Sequence, residues 1–244
     1  MKEFNQYQFE DLLVRESDFY TQNKDRIILD FLKGREPSKI LEVGCGSGEL
    51  SFSLADLGHN VTGIDLVQEY IELAKKRSAP KNGKCVFYAM NLNNFSSEKD
   101  FDVIVAMDVL EHIENDKTAA RKLASLLRPD GELIVTVPAH SWLFGFHDKA
   151  LGHFRRYGKK SLRDLISNTG LVDIKNMRYF GFTLVPICLL YSRLLRRPYP
   201  KTSLGDARGK TVLGFVAGKL LDLDRRLALM PFGISLVLHG KKRL

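Results

Sequence analysis

A glycine-rich segment near residue 45 has the composition of a loop that binds a cofactor through its main chain. It is Glu42-Val-Gly44-Cys-Gly46-Ser-Gly48, placed between an apolar run and a predicted helix. Glycine permits backbone conformations and close approaches that a Cβ atom blocks. Glu49 stands where a dinucleotide fingerprint has its third glycine, and the phosphate-loop pattern G-x-x-x-x-G-K-[ST] is absent. The spacing therefore disfavours an NAD enzyme and a phosphate-loop enzyme, and a tight turn without a ligand is the alternative.

Acidic and histidine side chains follow two other predicted strands. Asp65 ends the run Val61-Thr-Gly-Ile-Asp65, where a carboxylate can accept two hydrogen bonds from a ribose diol or cap the next helix. Glu111 and His112 follow the apolar run Phe101–Ala106. Three roles stay open for His112, because histidine supports each of them: a hydrogen bond at a helix start, a base or substrate contact, or a metal ligand beside Glu111.

The segment from Pro138 to Tyr157 concentrates histidine, aromatic and arginine residues. His147 and His153 could act with Asp148 as an acid/base group, and no spacing is diagnostic of a metal, so no metal site is predicted. Arginine forks suit an anionic substrate, and ion pairing with acidic helices is the alternative. The predicted catalytic residues are His112, His147, His153 and Tyr157, and the predicted substrate-binding residues are Trp142, Phe146, Arg155 and Arg156.

Alternating apolar strands and helices from about Pro37 to Val137 must position these side chains. The predicted strands are Lys39–Val43, Asn60–Ile64, Lys84–Ala89, Phe101–Ala106 and Gly131–Val137. The predicted helices are Leu50–Leu57, Val67–Arg77 and Asn115–Leu127, the last ended by a turn at Arg128-Pro-Asp-Gly131. Such a pattern predicts an α/β fold with a doubly wound parallel sheet, in which ligands bind at the carboxyl ends of the strands.

Further elements flank this region. They are a helix at Ser17–Gly34, a helix at Ser161–Thr169 closed by Gly170, a sixth strand at Val172–Phe180 and a seventh at Gly233–His239. We expect one domain over residues 1–244, with an N-terminal helical cap at 1–36 and a helical insertion at 181–231 between the last two strands.

Composition limits the class of protein. The 244 residues are 44% hydrophobic and 27% charged, ordinary values for a globular α/β domain. Three widely spaced cysteines form no disulfide framework, which indicates a reducing compartment. The net charge of +8 is uneven: residues 1–150 hold 18 Lys+Arg against 24 Asp+Glu, and residues 151–244 hold 19 against 5. A basic last third suggests an anionic partner, with a solvated basic face as the alternative.

The insertion combines apolar and arginine-rich helix faces. Tyr179–Ser192 is uncharged but too short to span a bilayer. Leu190 and Leu194 fall on a face beside Arg193, Arg196 and Arg197, and Thr211–Leu229 repeats the pattern with Leu220, Leu223 and Leu227. Such faces suit a membrane surface or a lipid phosphate. The alternatives are packing against the sheet or against a second subunit in a homodimer.

Four sequence blocks resemble the class I S-adenosylmethionine-dependent methyltransferase family. They are ILEVGCGSG, VTGID, FDVIVAMDVLEHIEND and LLRPDGELIVTVP, which cover about residues 38–140. The third block is most similar to small-molecule members of the ubiquinone-biosynthesis type. The resemblance implies a seven-stranded sheet of order 3-2-1-4-5-7-6 with the last strand antiparallel, and S-adenosylmethionine as the cofactor.

The resemblance also implies which residues contact that cofactor. They are Glu42, Gly44, Gly46, Gly48, Asp65, Leu66, Asn91, Leu92 and Met107. Asn91 departs from the family pattern, since many relatives have an Asp there. Its amide oxygen can still accept a hydrogen bond from adenine, but it carries no charge.

The expected function is methyl transfer to a small-molecule or lipid-linked acceptor, of amphiphilic and anionic character. The alternatives are a non-catalytic binding or regulatory module that kept the fold, and an RNA methyltransferase. No nucleic-acid-binding motif accompanies the basic region, so no nucleic-acid partner is expected. The polar N-terminal segment lacks the apolar core of a secretion signal. A cytoplasmic protein is therefore expected, with peripheral contact to the inner membrane surface through 181–231.

Overall fold

The structure is a computed structural model that describes residues 19–78, 84–96, 101–197, 212–227 and 230–243. Its strands are β1 Lys39–Val43, β2 Asn60–Asp65, β3 Cys85–Ala89, β4 Phe101–Met107, β5 Leu127–Pro138, β6 Val172–Phe180 and β7 Ser235–Lys242. Its α-helices are α1 Phe19–Leu32, α2 Glu49–Asp56, α3 Gln68–Ser78, α4 Asp116–Leu126, α5 Phe146–Ala150, α6 Lys159–Ser167, α7 Val185–Cys188 and α8 Val212–Leu227.

The seven strands form one sheet in the order β3-β2-β1-β4-β5-β7-β6, which confirms the predicted order. β1 pairs in parallel with both β2 and β4, and β2–β3 and β4–β5 are also parallel. The register sets Val43 opposite Ile64 on one side and Ala106 on the other. The carboxyl ends of β1, β2 and β4 are therefore level with one another, and the glycine loop begins at that level.

The chain divides into two compact units. The larger unit consists of Leu32–Thr136, Lys159–Met177 and Leu238–Leu244. Its central strands β1 and β4 are nearly continuous apolar runs, with Ile40, Leu41 and Val103 through Ala106 fully buried. Helices cover both faces of a parallel sheet, and such strands are therefore apolar on both sides.

The smaller unit consists of Met1–Phe31, Val137–Gly158 and Arg178–Val237. Ile27, Phe180, Leu221 and Val237 form one buried apolar cluster in this unit. The buried carboxylate of Asp224 accepts hydrogen bonds from the backbone N–H groups of Gly181 (2.9 Å) and Phe182 (2.7 Å). Helix α8 thus turns Leu221 and Asp224 inward, and Leu220, Leu223 and Leu227 stay exposed.

The predicted turn at Arg128–Gly131 is wrong, because these residues belong to strand β5. The pairing of β4 with β5 shifts register between Phe101 and Val103, which marks a β-bulge. Asp130 has φ 63° there, and a Cβ on Gly131 would lie 2.9 Å from the carbonyl oxygen of Arg128. A bulge needs the same residue types as a turn, so the sequence pattern alone did not separate the two.

The segment Pro138–Tyr157 contains two short helices rather than only loop: a 3₁₀ turn at Ser141–Leu143 and α5. In the insertion, a π-helix at Leu189–Leu194 follows α7. Parts of the predicted helices at Ser17–Gly34 and Thr211–Leu229 lie outside the described residues. No helix within the described ranges is long and apolar enough to cross a membrane.

Candidate functional site

The glycine loop has the backbone shape that its composition predicts. Gly44, Gly46 and Gly48 have φ angles of 73°, 52° and 90°, the left-handed region that favours glycine. The N–H groups of Gly44 and Cys45 both donate to the carbonyl oxygen of Ile64, at 2.8 and 3.1 Å. A Cβ on Gly44 would lie 2.5 Å from Cγ2 of Val109, so the loop packs directly on the segment after β4. Three positions of this loop therefore carry no side chain of their own.

Glu42 anchors this loop from inside the larger unit. Its side chain is buried at the end of β1, and its carboxylate accepts a hydrogen bond from the hydroxyl of Ser51 in α2. The bond ties the strand before the loop to the helix after it. The role of Glu42 in orienting the loop toward a cofactor stays a prediction.

Asp65 connects the end of β2 to the glycine loop. Its Oδ2 accepts from the N–H of Gly46 at 3.0 Å, and its Oδ1 accepts from the N–H of Val67 at 2.9 Å. Burial raises the pKa of Asp65 above its usual value, although these backbone donors partly oppose the rise. Each carboxylate oxygen can accept a further hydrogen bond, as a ribose diol would require. The neighbouring Leu66 is 55% exposed.

Three other predicted cofactor residues lie in the same unit. The amide oxygen of Asn91 accepts from the N–H of Asn93 at 2.9 Å and caps a 3₁₀ turn at Leu92–Asn94. Leu92 is buried, and Met107 is half-buried at the end of β4. The N–H of Met90 donates to the carbonyl oxygen of Asp65 at 2.7 Å, which brings the end of β3 beside the end of β2.

His112 ends a 3₁₀ turn at Leu110–His112 in the larger unit, with an exposed side chain. Its backbone N–H donates to the carbonyl oxygen of Val109 at 3.0 Å. The backbone of His112 therefore belongs to the turn that follows β4. The base and metal roles of His112 stay predictions.

In the smaller unit, Asp148, His153 and Arg156 form a buried charged cluster. Nδ1 of His153 lies 3.0 Å from Oδ1 of Asp148, and Nε of Arg156 donates to the same oxygen at 2.7 Å. Oδ2 of Asp148 accepts from the N–H of Gly145 at 2.9 Å. Arg156 also donates to the carbonyl oxygen of Ala139 at 3.3 Å. These four hydrogen bonds therefore restrain the segment that follows β5.

The cluster keeps Asp148 ionised. Burial alone would raise its pKa, but the hydrogen bond with His153 and the charge of Arg156 lower the pKa of Asp148 to about 2. An ionised carboxylate has no proton to donate, so Nδ1 of His153 must carry the hydrogen of their shared bond. That bond fixes the tautomer of His153 and makes Nε2 the basic ring nitrogen.

The other predicted acceptor residues of the smaller unit differ in accessibility. Trp142 is 50% exposed and Phe146 is also exposed, whereas Tyr157 is buried and its N–H donates to Pro138. Arg155 is half-buried, 5.8 Å from the ring centre of Phe154. The N–H of His147 donates to the hydroxyl of Ser192 at 3.3 Å. The buried guanidinium of Arg156 fits the ion-pairing alternative, and its contact with an acceptor stays a prediction.

Two residues have special geometry: Asp148, which the sequence grouped with His147 and His153, and His140, which was not predicted. Asp148 is the centre of the cluster, and its position three residues after Gly145 is the spacing of a helix capping box. His140 has φ 62°, and its ring stacks on Tyr179 with 4.9 Å between centroids. Burial and the charge of Arg156 lower the pKa of His140. No sequence signal marks the strained backbone of His140.

Comparison with known proteins assigns the chain to a family. The family model described as "Methyltransferase domain" matches residues 14–176, about two thirds of the chain. The chain belongs to the methyltransferase domain family. The glycine loop, Asp65, Asn91 and the cluster around Asp148 all lie within the matched range.

Individual proteins match this chain over shorter ranges than the family model does. A ubiquinone biosynthesis O-methyltransferase of Xanthomonas axonopodis pv. citri is 34% identical over 113 residues, which are 44% of this chain and 47% of that protein. A second one, from Haemophilus ducreyi, is 37% identical over 105 residues, covering 40% and 44%. The chain thus spans about half the length of the curated relatives it matches.

The fold has solved counterparts. Phosphoethanolamine N-methyltransferase 2 of Haemonchus contortus, in complex with S-adenosyl-L-methionine, has a TM-score of 0.64 and 18% identity over 91% of this chain and 53% of that one. At 18% identity, the structural similarity to this enzyme establishes only that the two chains have the same fold.

Proposed function

We propose that the protein transfers a methyl group from S-adenosylmethionine to a small-molecule or lipid-linked acceptor with an apolar part and an anionic part. The observation that carries the proposal is the bond from the Gly46 N–H to Asp65. It joins a loop with three glycines to a carboxylate suited to a ribose diol. The named activities of the relatives, which are O-methyltransferases of ubiquinone biosynthesis, support the same reaction class.

The residues of the larger unit fit this cofactor. Gly44, Gly46 and Gly48 would lie against its methionine part, because their left-handed backbones present no side chain. Asp65 would hold the ribose hydroxyls, and the exposed Leu66 would pack on the adenine. When bound, S-adenosylmethionine supplies an electrophilic methyl group on a sulfonium. Asn91 would accept from the adenine amino group through the second lone pair of an oxygen that already caps a 3₁₀ turn.

His153 is the residue best prepared to remove a proton from an acceptor hydroxyl. Asp148 holds the Nδ1–H of its ring, so that Nε2 can take a proton while the nearby carboxylate stabilises the resulting charge. This pairing favours an acceptor whose nucleophile is a hydroxyl. The catalytic roles of His112, His147 and Tyr157 stay predictions.

The acceptor's character is inferred from exposed side chains of the smaller unit. Trp142 and Phe146 are exposed aromatic rings, and Arg155 is a half-buried cation in the same segment. The insertion adds exposed leucines beside three exposed arginines, Arg193, Arg196 and Arg197. Apolar surface beside guanidinium groups favours an amphiphilic anion over a sugar or a free amino acid.

A two-part experiment tests the reaction. We expect calorimetric titration to give saturable binding of S-adenosylmethionine, and a tritiated-methyl screen against metabolite, lipid and RNA extracts to label a small molecule or lipid. Mass spectrometry then identifies the product. Saturable binding with no labelled product in any extract would favour the non-catalytic module, and labelled RNA would favour an RNA methyltransferase. Absence of binding would contradict the proposal itself.

A membrane surface is proposed as the partner of the insertion. Leu194 is 74% exposed between arginines, and Leu190, Leu195, Leu220, Leu223 and Leu227 are also exposed. We expect the protein to co-sediment with vesicles containing anionic lipid, and an Arg193/Arg196/Arg197→Glu variant to lose this binding, since each basic residue contributes about 1 kcal/mol at an anionic surface.

The matched control for this variant is Lys159/Lys160/Arg163→Glu, which reverses three charges on α6 of the larger unit. It should sediment like the unmodified protein. Equal loss in both variants would mean that net charge alone drives binding. A stable dimer by analytical ultracentrifugation, without vesicle binding, would favour burial of the leucines between two subunits.

A further inference from the structure

The insertion contains a π-helix that buries a serine and exposes leucines. In the segment Leu189–Leu194, the N–H of Leu195 donates to the carbonyl oxygen of Leu190, five residues earlier, at 2.8 Å. Turns of the π type are rare and occur frequently at functional sites. Ser192 is 1% exposed, whereas Leu194 is 74% exposed. A helix held by packing alone would turn its leucines inward, so the burial of Ser192 indicates a specific contact.

Ser192 contacts the beginning of α5. Its Oγ accepts a hydrogen bond from the N–H of His147 at 3.3 Å. A Cβ on Gly145 would lie 2.5 Å from the carbonyl oxygen of Ser192, so this close approach requires a glycine. The adjacent Arg193 donates from Nη1 to the carbonyl oxygen of Phe144 at 3.2 Å. The π-helix therefore holds the beginning of α5 through main-chain groups, and all of these residues belong to the smaller unit.

The same segment holds the carboxylate of Asp148. The N–H of Gly145 donates to Oδ2 of Asp148 at 2.9 Å, and Oδ1 lies 3.0 Å from Nδ1 of His153. Both side chains of the Asp148–His153 pair are buried. A hydrogen bond weakens steeply as its geometry departs from the ideal, so a shift of the beginning of α5 would turn the carboxylate away from the ring. The orientation of His153 therefore depends on the contact that Ser192 makes.

We propose that Ser192 is a positioning residue for His153, which accepts the proton of the acceptor hydroxyl. This inference rests on the proposed function. Ser192 acts through the N–H of His147 and the backbone of Gly145. These main-chain groups fix Asp148 and thereby the ring of His153. Because proton transfer requires the base within hydrogen-bond reach of the proton, a small displacement of the ring slows the reaction without changing cofactor affinity. The insertion is thus part of the machinery that aligns the base.

Steady-state kinetics of Ser192 variants test the proposal. For Ser192→Ala we expect kcat to fall about tenfold, with the Kd of S-adenosylmethionine unchanged. Ser192→Cys keeps a weak acceptor and fills the buried space, so it should lose less, and it provides the test should Ser192→Ala not fold. The double variant Ser192→Ala/His153→Gln should be no slower than His153→Gln, since a residue that acts only through His153 has no effect once His153 is replaced.

Proton NMR tests the positioning without an acceptor. A hydrogen shared between a buried imidazole and a carboxylate gives a separate downfield signal, and His153→Gln identifies this signal by removing it. We expect the signal in the unmodified protein and its loss or broadening in Ser192→Ala. An unchanged signal in Ser192→Ala would overturn the inference. Absence of the signal from the unmodified protein would contradict the pairing on which the inference rests.

The matched control is Ser235→Ala, which removes another buried hydroxyl of the smaller unit, one that shares a hydrogen bond with the hydroxyl of Tyr20. It should leave kcat and the NMR signal unchanged. Equal losses of kcat in the two alanine variants would mean general destabilisation. An unchanged kcat in Ser192→Ala, or a further loss in the double variant, would likewise overturn the inference. If the unmodified protein transferred no methyl group, the proposed function itself would fail, and the NMR signal would still decide whether Ser192 positions His153.

Discussion

Replacing Gly46 with valine is expected to abolish binding of S-adenosylmethionine, with a loss of at least about 100-fold, or roughly 3 kcal/mol. Gly46 has φ 52°, which a β-branched residue adopts only with strain. Its N–H also donates to Asp65, so any shift of the backbone separates the loop from the carboxylate proposed to hold the ribose. Calorimetric titration measures the effect.

Gly170→Val is the matched control for this prediction. Gly170 has φ 73° after helix α6, and a Cβ there would have no neighbour within 4 Å. It carries similar backbone strain away from the glycine loop, so it should lower stability without lowering cofactor affinity. Undiminished binding in Gly46→Val would mean that the loop does not contact the cofactor. Equal losses of affinity in both variants would attribute the effect to general destabilisation.

Replacing Asp148 with asparagine is expected to lower the free energy of unfolding by about 3 kcal/mol at pH 7. The substitution leaves the buried guanidinium of Arg156 without its carboxylate partner, and breaking a buried pair from one side typically costs 3–5 kcal/mol. Urea denaturation followed by circular dichroism measures the change. Asp164→Asn is the control, because Asp164 pairs with Lys160 on an exposed face of α6 and should cost less than about 1 kcal/mol.

The same carboxylate predicts a pH dependence of stability. The pKa of Asp148 is lowered from 3.8 to about 2 in the folded protein. The folded state therefore binds this proton less readily than the unfolded chain does. The stabilisation is complete above about pH 4 and lost as the pH falls through about 2, and it amounts to roughly 2 kcal/mol. The deficit of Asp148→Asn should accordingly shrink between pH 7 and pH 3. An unchanged deficit would contradict the ionised state of Asp148.

Measurements of kcat and KM distinguish a proton-accepting role of His153 from a purely structural one. His153→Gln should lower kcat by about 100-fold or more if His153 takes the acceptor's proton, with cofactor affinity unchanged. Raising the pH should then partly restore its rate, because a larger fraction of the acceptor hydroxyl is ionised without help from a base. A loss confined to KM would indicate acceptor binding alone.

The residue pattern by itself predicted the strands of the doubly wound sheet, and the family resemblance predicted their order, which the structure confirms. Alternating apolar strands with helices between them allow few topologies, and the glycine spacing after β1 is local information. The last two strands and Asp65 were also predicted from the residues, whereas the resemblance named Asn91 and Leu66 as cofactor contacts. Short-range patterns of this kind can be recognised in the sequence because each depends only on residues within one strand-loop-helix unit.

Only the tertiary structure decided which charged groups meet. Asp148, His153 and Arg156 come together because α5 turns the segment after β5 back on itself, and Arg156 is thereby buried rather than exposed. Asp108 and Thr136 are 28 residues apart and become partners only through the pairing of β4 with β5. The bulge at Asp130 likewise depends on the partner strand. Such contacts need cross-strand register and packing, which residue types along the chain do not encode locally.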